Sequence, residues 1–136
     1  MSDKALKACA DYARLNAEIR RLTKAIGDAL DGCPGENGKR ACITKPDGQI
    51  IFGGDDDPTH LKAAYTPETV DGDYCSGPEL EWLSDEAIRE HLSGVCPACL
   101  AAHGFIQERK STRRQFGAVK RAIGTIGRAA NKRSAK

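Results

Sequence analysis

Aromatic side chains are scarce in this sequence: one Trp, three Tyr and three Phe among 136 residues. A chain of this length suits one domain, but so few rings exclude a large interlocking core, and elongated helices or a metal staple are needed to hold it together. No apolar run approaches the ~20 residues that cross a bilayer. The opening "MSDKALKACADYARL" has no continuous apolar h-region, so an export signal is not expected and the protein is placed in the cytoplasm. Also missing are a phosphate-cradling glycine loop, a nucleophile elbow and an HExxH pair. No catalytic residue is assigned, and a non-enzyme is expected.

Charge is plentiful but unevenly placed. Residues 54–90 carry eleven acids against Lys62 and Arg89, a net −9, whereas residues 105–136 carry ten Lys or Arg against Glu108, a net +9. Such polarity between segments points to a nucleic-acid partner, an electrostatic clamp within the molecule, or both.

The clearest periodicity is at the start. Ala5, Ala8, Tyr12, Leu15, Ile19, Leu22, Ile26 and Ala29 are spaced alternately three and four apart, which is a heptad seam. Ser2 and Asp3 suit the helix start, and Gly32-Cys33-Pro34-Gly35 stops it. The seam is alanine-rich and needs a partner. A second helix, entered through Pro97, repeats the pattern at Phe116, Val119, Ile123 and Ile126. The expected fold is therefore mainly α: an antiparallel hairpin of two long helices (1–31 and 96–130) in a single elongated domain, 1–130. An irregular knob, 32–95, sits at one end, and residues 131–136 form a basic disordered tail. Within the knob, Ala41–Thr44 and Gln49–Phe52 read as a β-hairpin across a Pro46-Asp47-Gly48 turn. Asp57 and Pro58 are expected to open a short helix, residues 66–82 read as a loop, and Ser84 caps a helix ended by Gly94.

Six cysteines in a reducing compartment mean metal more often than disulfides. Cys96-x-x-Cys99 at a helix start is a good half-site for a tetrahedral ion. In an antiparallel hairpin the end of the first helix lies beside the start of the last, which brings Cys33 to that pair. His103, four residues after Cys99, completes a Cys3His shell for a structural Zn2+, with Cys42 and Cys75 as substitutes for an outer ligand. Cys9 reads as a small buried hydrophobe, and His60 and His91 as exposed or capping residues.

The basic helix supplies the functional candidates. Arg109, Lys110, Arg113, Arg114, Lys120, Arg121 and Arg128, with Lys132 and Arg133 beyond them, suit salt-dependent contact with phosphates. Only Phe116 interleaves with them, so base stacking on single strands is not indicated. The opposite pole, Asp55, Asp56, Asp57, Asp71 and Asp73, supports a second reading: an acidic surface that imitates a phosphate backbone or docks on a basic protein. A homodimer through the heptad seam is a third possibility.

The run "CPACLAAHGFIQERKSTRRQFGAVKRAIGTIGR" resembles the C-terminal segment of small uncharacterised proteins of tailed bacteriophages. The resemblance rests on Cys96, Cys99, Ala102-His103, Arg109-Lys110, Arg113, Gly117, Lys120-Arg121 and Gly127-Arg128. It implies an accessory product in a bacterial cytoplasm. The partner would be nucleic acid or a host nucleoprotein complex, or the product would inhibit a host defence complex in the manner of anti-CRISPR or anti-restriction proteins.

Overall fold

The computed structural model describes residues 2–54, 56–70, 72 and 77–134. It is mainly helical, with two small antiparallel sheets. In chain order the elements are α1 (Asp3–Leu30), β1 (Ala41–Thr44), β2 (Ile50–Gly53), α2 (His60–Tyr65), β3 (Glu68–Val70), β4 (Glu79–Glu81), α3 (Asp85–Val95) and α4 (Pro97–Ser134). They divide into two compact units, residues 1–24 with 105–136 and residues 25–104. No helix among the described residues is long and apolar enough to cross a membrane.

The first unit draws on α1 and α4. Ser2 caps α1 by accepting from the Ala5 amide at 3.2 Å. The seam positions Ala8, Leu15 and Leu22 are buried, and so is Phe116 of α4. Tyr12 remains 40% exposed, yet its ring lies 4.8 Å from that of Phe116. Arg109 Nη1 donates to Thr23 Oγ1 at 3.3 Å, and Lys120 Nζ sits 4.5 Å over the Phe116 ring. Cys9 is exposed, contrary to its expected burial, because it falls one position off the seam. The expected disordered tail is also corrected in part: α4 stays helical through residues 131–134, where Ala129 and Ala130 precede with high helix propensity.

The second unit holds the remaining elements, and its core is Ile26, Leu61, Ala64, Ile88, Leu92 and Ala102. The β1–β2 hairpin forms about the expected turn, in the register Ala41↔Gly53 to Thr44↔Ile50, with its second strand one residue later than expected. Its turn closes through Gly48, whose φ of +88° favours glycine. The β3–β4 pair, Glu68↔Glu81 to Val70↔Glu79, replaces part of the loop expected at 66–82. Strands of three residues carry too little alternation to stand out among Pro67, Gly72, Gly77 and Pro78. Ser84 caps α3 as expected, accepting from the Ala87 amide at 3.1 Å. The cap of α2 is Thr59, which accepts from Lys62, and not Asp57.

Candidate metal centre

Cys33 is delivered by the end of α1. Arg40 Nη1 donates to the carbonyls of Leu30 at 2.6 Å and Cys33 at 3.2 Å, so a cation satisfies acceptors left open at the helix C-terminus. His60, the first residue of α2, reaches the same place through a second loop. The two loops are clamped together: the Glu36 amide donates to the Pro58 carbonyl at 2.7 Å. Buried Asp57 accepts from the Lys39 amide at 2.9 Å, the Asn37 amide at 3.1 Å and Asn37 Nδ2 at 3.0 Å. Gly35, with φ +97°, lies against this carboxylate, and a Cβ there would stand 2.7 Å from Asp57 Cγ. Cys96 and Cys99 come from the α3–α4 junction. Cys96 ends α3, and its Sγ accepts from the Cys99 amide at 3.4 Å in the first turn of α4.

These elements bring Cys33, His60, Cys96 and Cys99 together, with one ligand atom of each lying within 4.8 Å of all the others. The three cysteines are buried and reduced. A tetrahedral ion bound at ~2.3 Å by sulfur and ~2.0–2.1 Å by nitrogen sets ligand–ligand edges of about 3.5–3.8 Å. Cys33 Sγ and His60 Nδ1 stand 3.3 Å apart, so the donor set fits such an ion with little adjustment. The electrostatics favour a thiolate. Against burial, the His60 and Gly35 amides, the His60 ring and the Cys99 thiol draw the Cys33 thiol down to about 7. Burial, reinforced by hydrogen bonding to Cys33, pushes the Cys99 thiol up, while the Leu61 amide opposes this. Amides aimed at ligand sulfurs are the supporting contacts that thiolate–metal centres use.

The fourth position differs from the one expected from spacing. His103 is buried at 1% exposure, but both its nitrogens are engaged elsewhere. Nδ1 is 2.6 Å from the Tyr65 hydroxyl and Nε2 is 2.5 Å from Asp85 Oδ1. Arg89, and then His103 against the effect of burial, hold the Asp85 carboxyl below its ordinary range. An ionised Asp85 can only accept, so Nε2 donates to it, while Nδ1 pairs with the Tyr65 hydroxyl. His103 thus ties α2 and α3 to α4, and His60 stands with the three thiols in the group that could hold a metal ion. No local spacing marks His60. The only signal is a histidine at the capped start of a helix, 27 residues from Cys33. Cys42 lies exposed on β1, outside the cluster, and Cys75 falls outside the described residues.

Of the cations expected to meet phosphates, Lys110, Arg113, Arg114, Lys120, Arg121 and Arg128 are exposed, and Arg109 is half-buried against Thr23. Of the acidic group, Asp55, Asp71 and Asp73 lie outside the described residues. Asp56 is exposed, and Asp57 is a buried structural acceptor rather than a surface charge. Compared with family models, curated proteins and solved structures, the chain matches none.

Proposed function

We propose that this chain is a zinc-stapled, non-enzymatic binding protein whose α4 contacts the phosphates of a nucleic acid. Three thiols and one imidazole form a borderline-soft, four-ligand set that suits zinc. A shell completed by four protein ligands has no open position for a reacting water. The metal fixes the first turn of α4, and α1 and α4 pair as an antiparallel hairpin through Tyr12 with Phe116 and Thr23 with Arg109.

The observation that carries the nucleic-acid reading is a row of cations. Lys110, Arg114, Arg121, Arg128 and Lys132 are all exposed and spaced 4, 7, 7 and 4 residues apart. At ~100° per residue they fall within about 40° of one another on the helix. Phe116, Val119, Ile123 and Ile126 fall on the opposite face, where Phe116 is buried and the other three are half-buried. Over 22 residues at ~1.5 Å each the row is about 33 Å long, long enough to follow several phosphates of a duplex.

The test is fluorescence anisotropy with duplex DNA and RNA across a salt series. Replacing Lys110, Arg114, Arg121 and Arg128 by Gln should weaken binding. The slope of log affinity against log salt should fall by about 0.7–0.9 for each phosphate that the variant no longer neutralises. Absence of binding to either duplex at ~50 mM salt, where screening is weak, would overturn the reading.

A further inference from the structure

Between α2 and the β3–β4 hairpin lies a groove of about 600 Å³, within the ~300–1,000 Å³ range of ligand clefts. Three carboxylates line it, those of Glu36, Glu68 and Glu81, against one ammonium, that of Lys62, while Pro58 and Leu83 give it an apolar wall. Of this wall, Leu83 is 50% exposed, a large apolar side chain left in water.

The two properties together define an occupant. A metal ion is too small for the space and gains nothing from the apolar wall, and a nucleic acid is repelled by the carboxylates and by the net −9 of residues 54–90. Arg and Lys side chains satisfy both, because their stems cover apolar surface while their heads meet carboxylates. We propose that this groove docks a short Arg- and Lys-bearing segment of a partner protein, with stems along Pro58 and Leu83 and cationic heads at Glu36, Glu68 and Glu81. The groove shares no residue with the α4 cation row, so the protein has one binding surface for phosphates and a second for a basic polypeptide.

Fluorescence anisotropy of a labelled short peptide of alternating Arg and Leu should rise saturably on titration with the intact, metal-loaded chain, whereas that of the matching Glu–Leu peptide should not. The combined Glu36→Gln, Glu68→Gln, Glu81→Gln variant should weaken the Arg peptide roughly tenfold, since each partly screened charge contact contributes modestly. All three glutamates are exposed, and Glu36→Gln alone provides a milder variant should the triple one misfold. The Gln variant of the α4 row should retain full peptide binding, which separates this proposal from the nucleic-acid reading. The proposal is overturned if the glutamine variants bind like the parent, if the Glu peptide binds equally, or if spermine at equal charge displaces the Arg peptide. It is also overturned if the Arg peptide gives no saturable rise in anisotropy.

Discussion

His60 and His103 differ in what holds their ring nitrogens. His60 Nδ1 faces the Cys33 sulfur, whereas His103 engages Tyr65 and Asp85 with its two nitrogens. His60→Ala should therefore lower zinc from about one per chain to near zero by elemental analysis, as should Cys96→Ser, because structural zinc needs its full set of ligands. His103→Gln should keep the metal while lowering the melting temperature, because its ties to α2 and α3 are weakened. The reverse pattern, with metal released only in His103→Gln, would sink the assignment. Cys33, Cys96 and Cys99 are legible in the sequence because CxxC and a helix-ending Cys are local patterns. The imidazole is not, since chain folding alone decides which histidine reaches the thiols. Asp57 carries a second residue-scale prediction. The Lys39 amide and then, opposing burial, the Asn37 side chain and amide hold its carboxyl below the ordinary range. A depressed folded pKa means stability that is full above the unfolded value of about 3.9 and lost as pH falls through the folded value. Asp57→Asn should thus be less stable than the parent at neutral pH, with the gap in denaturant midpoint narrowing below about pH 4. A gap independent of pH would show that the carboxylate charge plays no part.

At the scale of elements, period decides what a sequence reveals. The heptad of α1 runs through eight positions, and of these Ala8, Leu15, Leu22 and Ile26 are buried. The β1–β2 hairpin is legible from its Pro-Asp-Gly turn between two short apolar runs, whereas the three-residue strands β3 and β4 are shorter than any period that could announce them. Two good capping residues stand before α2, and Thr59 takes the role because Asp57 finds stronger partners in the Asn37–Lys39 loop than at the helix start. Leu22 is fully buried, and its truncation tests the seam. Leu22→Ala should cost about 2–5 kcal/mol through reduced burial and the cavity left behind. The exposed seam neighbour Leu6, at 53% exposure, should tolerate alanine with a much smaller effect. Equal costs at the two positions in urea unfolding would mean that the seam is not what holds α1.

Across the whole molecule, the two units differ in how they are held. Residues 25–104 contain a six-residue helix and strands of three and four residues. None of these is stable alone, since isolated helices shorter than ~12–15 residues and lone hairpins are marginal in water. Of these, α2 supplies His60, and the ends of α1 and α3 bring Cys33, Cys96 and Cys99 to it, so a metal ion bound there would supply folding free energy that the small apolar core lacks. Residues 3–24 and 105–134, by contrast, are long helical stretches with their own buried side chains, Ala8, Leu15, Leu22 and Phe116, and they contribute none of the four ligands. Chelation should therefore act unequally along the chain. In hydrogen exchange read by mass spectrometry, EDTA should strip protection from amides of α2, α3 and both hairpins, while peptides around Leu15 and Phe116 keep most of theirs. Returning zinc should restore protection, and each tenfold rise in free zinc above its Kd should add about 1.4 kcal/mol to the stability of the metal-bound unit. Uniform loss of protection along the whole chain would mean that the two units open as one, and unchanged protection everywhere would mean that the four ligands do not staple the fold at all.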